Sequence, residues 1–516
     1  MIILLKSLYV LQAVEKIFKV EPIWQKEKNY LGGFKMGKNQ KQFVEEITPM
    51  EDDFAQWYTD VITKTDLVDY APVKGFMVIK PYGFALWEKI RDYADQKFKE
   101  TGHKNVYFPL LIPESLLTKE AEHVEGFAPE VAWVTQGGNK VLEERLAVRP
   151  TSETIICTMY AKWLNSYRQL PFLYNQWNSV VRWEKTTRPF LRTSEFLWQE
   201  GHTIHETREE AMKETLQQLA IYKSVAEDLM AMPVIDGQKS ESEKFAGADS
   251  TYTIEAMMHD GKALQSGTSH FLGQHFTKAF DITYSDREGN LANPYHTSWG
   301  ISTRLIGGLI MVHSDNRGLV LPPKMAPTQV VIVPIAANKG GVMEVVDRIA
   351  AEIKAKGISV EVDDRDNYSP GYKFNDSEMK GIPVRLEIGP KDIEKNHALA
   401  FRRDELTKEE MSLDSIADSV EKLLEDIQKN MFEKAKKYRD ERTYVAKNMD
   451  EFVDIMENKR GFAKVMWKDN AENEAKIKEL TGATIRVIPF EQEDLGDTCF
   501  YSGEKADHMV IFAKAY

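Results

Sequence analysis

A chain of 516 residues, 42% hydrophobic and 28% charged, has ample core for a soluble protein of about three domains and is too long for a single small one. The net charge of −13 argues against a generic nucleic-acid coat but leaves room for local basic patches that meet phosphates. Two cysteines, Cys157 and Cys499, exclude a disulfide framework and point to a reducing compartment, so a cytoplasmic location is expected.

Residues 1–52 read as an N-terminal extension. The apolar opening is broken by Lys6 and Glu15, which fits neither a signal peptide nor a membrane span. Gly32 and Gly33 mark a linker, and Met36 is the expected true start, which would leave 1–35 non-native.

From Phe54 the pattern turns globular. Residues 75–80 read as a short strand stopped by Pro81, followed by a helix with Trp87, Ile90, Ala94 and Phe98 on one side. Asn105 to Pro113 reads as a strand whose Pro109 suits an edge or interface, or merely ends it. Residues 114–150 read as a connection ending in RPTSE. Thr151 or Ser152 would N-cap the next helix; the alternative is that Thr151 and Glu153 point at an amine.

The densest chemistry lies between Phe172 and His205. Two aromatic, β-branched runs flank a basic loop, Lys185 to Ser194, and predict an antiparallel hairpin. Alternation puts Gln176, Asn178, Arg182 and Glu184 on one face, with Trp198, Glu200 and His202 together on the return strand; Leu173, Trp177, Val181 and Trp183 face the other way as packing. Unpaired buried charges are costly, so such a face calls for an anionic, planar ligand. His202 and His205 point to opposite sides and make no metal pair.

A charged helix is expected over 207–229. Gln265, Thr268 and His270 fall in LQSGTSH, read as a loop whose small residues admit a ligand or as plain surface. Ser302 and Arg304 stand where a strand gives way to a helix, and an arginine at a helix start opposes the macrodipole unless an anion joins it. Past Pro322-Pro323, alternating strands and helices predict a small α/β domain at 324–430, and a charged helical run leads to a last domain at 431–516.

In order, NVYFPLLIP, RPTSE, VVRWE, FLWQEGH, QSGTSH and SWGISTRLIG closely resemble the motifs of prolyl-tRNA synthetases, class II aminoacyl-tRNA synthetases, in their archaeal/eukaryote-like form. The resemblance runs from about Asp53 to Tyr516. It implies an α/β (α+β) fold: a class II antiparallel-sheet catalytic domain at 53–323, an anticodon-binding domain, and a C-terminal α+β domain. It implies catalytic arginines Arg182 and Arg304, with ATP held by Arg182, Glu184, Arg192, Gln265, Thr268, Ser302 and Arg304. Phe127, Thr151, Glu153, Arg182, Trp198, Glu200, His202, Phe245 and His270 resemble the proline pocket.

ATP, with Mg²⁺ on its phosphates, L-proline and tRNA(Pro) are the implied ligands, the implied assembly is a homodimer, and no membrane is involved. The span from His205 to Ser298 is too short for the editing insertion of bacterial-type relatives, so no editing in cis is expected. Many relatives carry a C-terminal zinc; here the matching positions are Lys468, Asn473, Cys499 and Ser502, and no zinc is expected. Phe462, Val465, Trp467, Ile477, Leu480, Ile485, Val487 and Ile488 are the expected core instead. In the α/β domain, Arg365, Lys373, Lys380, Tyr368, Tyr372 and Phe374 are candidates to meet RNA. A catalytically silent tRNA-binding paralogue would have lost Arg182, Arg192 or Arg304, and all three are present.

Overall fold

One eleven-stranded sheet positions the site. The computed structural model describes residues 46–123 and 130–516; residues 1–45 and the expected pocket residue Phe127 lie outside them. Helix α1 (Phe54–Lys64) starts on Asp53, whose carboxylate accepts from the Ala55 and Gln56 amides. Helix α2 (Pro81–Glu100) starts on a proline, which needs no amide donor there. It buries Trp87, Ile90, Ala94 and Phe98, as the periodicity predicts.

Strand β1 (Lys104–Asn105) is the sheet's edge. The expected strand 105–113 is interrupted: residues 106–110 leave the sheet, and pairing resumes at Leu111–Pro113 in a separate three-stranded sheet. Pro109 sits in the gap, where no ladder donor is required. The supposed connection 114–150 holds the helix Glu114–His123 and the hairpin Trp133–Gly137/Lys140–Val148. Lys140–Val148 is largely exposed, so it lacks the apolar alternation that would have revealed it.

Helix α3 (Glu153–Trp163) precedes the hairpin β2 (Phe172–Val181) and β3 (Glu195–His205), which pairs antiparallel throughout. Trp177 packs on Trp87 and Phe98, but Trp183 lies past the strand end, 50% exposed against Phe76. Helix α4 (Arg208–Ser224) opens with a capping box between Thr207 and Glu210 and lies across the next strands. These are β4 (Val234–Gln238), β5 (Ser250–Met257), β6 (Ala263–Gly273) and β7 (Tyr295–Ser302), which leads into α5 (Arg304–His313). LQSGTSH is therefore central strand, not loop. A bulge at Ser266 resets the alternation, so Gln265 and Thr268 both reach the cleft. Among the described residues, everything between β3 and β7 packs as elements of this domain, with no inserted module.

The α/β domain contains β8 (Val330–Pro334), α6 (Val342–Ala355), β9 (Val360–Val362), α7 (Pro370–Met379), β10 (Val384–Ile388), β11 (His397–Arg402) and β12 (Thr407–Ser412). Its sheet order is β9-β8-β10-β11-β12. Strands β8 and β10 are wholly buried: β8 is apolar throughout, whereas β10 carries Arg385 and Glu387, which pair with each other at 2.9 Å. Helix α8 (Ile416–Glu441) leads to β13 (Thr443–Val445), β14 (Phe462–Trp467), α9 (Ala471–Thr481), β15 (Thr484–Pro489) and β16 (His508–Ala513).

The last four strands continue the catalytic sheet, in the order β13-β14-β16-β15-β4-β5-β6-β7-β3-β2-β1. The joint pairs Ile488 with Gln238 and Pro489 with Gly237. A Cβ on Gly237 would lie 2.1 Å from the Ile488 carbonyl oxygen, so only glycine permits this approach. The C-terminal core forms as expected around Val465, Trp467, Ile477 and Ile485, except that Leu480 is 68% exposed and Ile488 only half-buried. Among the described residues no helix is long and apolar enough to cross a membrane.

Candidate active site

The register of β2 and β3 sets Gln176 opposite Glu200, Asn178 opposite Trp198 and Tyr174 opposite His202. Glu200 is buried and surrounded by donors. Its Oε1 accepts from Ser152 Oγ (2.5 Å), Asn178 Nδ2 (2.7 Å) and Gln176 Nε2 (3.0 Å), and its Oε2 from the Ser152 amide (3.2 Å) and His202 Nε2 (3.2 Å). Burial opposes its charge, but His202, Ser152 and Asn178 hold the carboxyl below the usual carboxylate range. Burial likewise opposes charge on His202, and Glu200 with Glu153 overcomes it, raising the imidazole.

Ser152 does not cap α3 with its side chain: its hydroxyl serves Glu200, while Thr151 Oγ1 donates to Glu153 Oε2. The RPTSE turn is thus tied to the sheet rather than to its own helix. Glu153 keeps acceptor capacity, its nearest other donor being Ser298 Oγ at 3.5 Å. Glu153, Glu200 and His202 lie close enough to hold a metal. However, Glu200 already accepts five hydrogen bonds, one of them with His202 Nε2, so the open acceptor of Glu153 suits an ammonium donor instead.

Two arginines supply positive charge. Arg182 donates from Nε to the Pro150 carbonyl (3.0 Å) and lies 5.5 Å from each of the Phe196 and Trp198 rings. Burial pulls it down while Glu153, Glu200 and Glu184 hold it up. Arg304, the first residue of α5, donates from Nε to the Leu191 carbonyl (3.1 Å). Burial, with Arg192 and Arg182 nearby, pushes it down to about 10, a strain that an anion would relieve.

These groups share one cleft of about 320 Å³. Thr151, Glu153, Arg182, Trp198, Glu200, Phe245, Gln265, Thr268, His270, Ser302 and Arg304 line it. His202 is buried behind Glu200; Glu184 and Arg192 face each other at 3.7 Å outside the lining. The His270 ring lies 4.7 Å from Phe245 and is pushed down to about 3 by burial and by His202, so it stays neutral. Gly201 lies beneath the floor, where a Cβ would meet the Trp299 ring at 2.2 Å.

The lining also includes Phe196, Ser298, Lys239 and Glu243, which the sequence reading missed. Alternation from Trp198 and from Ser302 could have found Phe196 and Ser298. Lys239 and Glu243 carry no such signal.

The positions that match the zinc ligands of relatives do not fit that metal. Lys468 pairs with Asp507 at 2.9 Å, Cys499 is packed into the core, and the Ser502 hydroxyl accepts from the Glu504 amide.

An antiparallel sheet carrying Arg182 at a hairpin loop and Arg304 at a strand-to-helix junction is the arrangement of a class II aminoacyl-tRNA synthetase core, and the family model for the class II core domain of the G, H, P, S and T synthetases matches residues 134–313. The anticodon binding domain model matches 329–423, and the model for the prolyl-tRNA synthetase C-terminal domain matches 449–516. Curated relatives include Proline--tRNA ligase 2 of Clostridioides difficile, 76% identical over 93% of this chain and 100% of its own, and the proline--tRNA ligase of Alkaliphilus oremlandii, 71% identical over the same shares. The crystal structure of prolyl-tRNA synthetase from Cryptosporidium parvum, complexed with halofuginone and AMPPNP, superposes with a TM-score of 0.88 at 40% identity, covering 92% of this chain and 100% of that one. The chain belongs to the prolyl-tRNA synthetases, the proline–tRNA ligases of class II.

Proposed function

We propose that this cleft activates L-proline with ATP and that the resulting prolyl group passes to the 3′ end of tRNA(Pro). The observation that carries the reading is the convergence of Arg182, Arg304 and the open acceptor of Glu153 on one cleft. AMPPNP in the Cryptosporidium parvum structure supports ATP as the nucleotide.

A proline carboxylate oxygen attacks the α-phosphorus, the bond to the β-phosphate oxygen breaks, and pyrophosphate leaves. The nucleophile is already ionised, so the site needs no general base. It supplies alignment and fixed positive charge. Arg182 bridges carboxylate and α-phosphate; Arg304, Arg192, Gln265, Thr268 and Ser302 hold ATP, which enters as its Mg²⁺ complex, and Glu184 orients Arg192. Thr151 and Glu153 receive the secondary ammonium, while Trp198, Phe245 and His270 wall the ring. A ribose hydroxyl of the tRNA then attacks the acyl carbon and AMP leaves.

The exposed apolar side chains of Tyr107, Leu110 and Leu111 suit a homodimer contact, and the buried free cysteines suit a cytoplasmic enzyme. The domain limits near 52, 323 and 430 belong to the same proposal. Charging of tRNA(Pro) with labelled proline tests the reading. Arg182→Ala should lower the rate on the order of 10²–10³-fold, and a variant charging at the parent rate would contradict the role.

A further inference from the structure

Where β15 joins β4, three charged side chains are buried together. Arg486 lies along Glu255, its Nε and Nη2 each 3.2 Å from Oε2. Lys239 Nζ donates to Glu255 Oε1 (2.7 Å) and to the Arg486 carbonyl (2.8 Å), and Thr253 Oγ1 donates to the same Oε1 (3.0 Å). Side-chain exposures of 2%, 0% and 8% for Lys239, Glu255 and Arg486 leave water little part in this cluster. Glu243 Oε2 stands 3.9 Å from Arg486 Nη1, so two cations meet two carboxylates, and removing one partner of such a cluster is costly because the others stay buried.

The cluster also borders the cleft. Lys239 is in its lining; Glu255 and Thr253 are the β5 partners of Gln265 and Thr268. An ammonium has three donors, and the two bonds above leave one for a ligand. Arg486, by contrast, belongs to the C-terminal domain.

We propose that Arg486 is a positioning residue of the active site: by clamping Glu255 it fixes the Lys239 ammonium in the cleft wall, so the C-terminal domain completes the site. This rests on the reading of the cleft as the adenylation site.

Proline-dependent ATP–pyrophosphate exchange tests it in the full chain with Arg486→Met, Glu255→Gln, the double variant and Arg486→Lys. Ser240→Ala serves as a control, since it removes a different domain contact, the 2.8 Å bond from Ser240 Oγ to Glu474. Arg486→Met should lower kcat/KM roughly tenfold, and Arg486→Lys should recover part of the loss. The double variant should be no worse than Glu255→Gln alone, and Ser240→Ala should match the parent. Additive losses, or an equal loss in Ser240→Ala, would reduce Arg486 to a docking contact and overturn the proposal, as would full activity of Arg486→Met. Absence of exchange in the parent protein would instead sink the adenylation reading.

Discussion

Glu153 and Glu200 are two buried carboxylates in one pocket with different tasks. Glu200 already accepts five hydrogen bonds, which makes it a brace; Glu153 has room for an ammonium. Glu153→Gln should therefore raise the KM for proline tens- to hundredfold, the worth of one hydrogen bond to a charged group, with the KM for ATP unchanged. Equal changes in both would contradict the division of labour. Histidine burial gives a second prediction. His270 is pushed down to about 3, and His205, His259 and His313 to about 4, burial being the main cause in each. Each binds its proton more readily once unfolded, so stability is full above about pH 6.5 and falls as pH drops toward 4, by up to about 1.4 kcal/mol per pH unit per group. His202, raised, works oppositely: its contribution is present below the unfolded value and lost as pH rises through the folded one. Glu200, lowered, contributes above its ordinary value and loses that as pH falls through the folded one. The melting temperature should drop steeply between pH 6.5 and 4, less so in His313→Gln; a flat profile would contradict the assignment. At this scale alternation made Arg182, Trp198 and Glu200 legible. The true partner of Ser152 was hidden, because a cap and a cross-sheet bond share the same residue type.

Hairpin β2–β3 and the junction of β7 with α5 were readable because alternation and a strand-to-helix change are local signals. LQSGTSH misled because glycine and hydroxyl residues suggest a loop, whereas the central position of β6 overrides that propensity. The joint of β4 and β15 left no local trace, since its partners, Gln238 with Ile488 and Gly237 with Pro489, lie far apart in the chain and Gly237 looks like an ordinary turn glycine. Its physics is testable: Gly237→Ala must displace the Ile488 backbone, at about 1–3 kcal/mol for overpacking. Amide exchange should rise in β15 and β4 and stay unchanged in β8 and β10. Unaltered protection at β15 would contradict the close approach.

Across the whole molecule, the class II core model matches 134–313 and the anticodon binding domain model 329–423, and the proposal is that activation and RNA recognition divide between them. In the α/β domain Tyr368 and Tyr372 stack at 4.3 Å and 13°, with the Arg365 guanidinium 4.9 Å from the Tyr368 ring, an arrangement suited to holding a base. Replacing both tyrosines by alanine should raise the KM for tRNA severalfold and leave pyrophosphate exchange intact; loss of both activities would contradict the separation. Composition and periodicity suggest about three domains, but the continuation of the catalytic sheet into the C-terminal strands has no sequence signal, because strand pairing between distant segments has no period. The most direct test of the central claim is amino-acid-dependent ATP–pyrophosphate exchange with proline, threonine, glycine, alanine and cysteine side by side. Proline should dominate, with alanine and cysteine as weak seconds, because absent methylenes are worth only about 1–3 kcal/mol each. Exchange driven best by another amino acid, or by none, would contradict it.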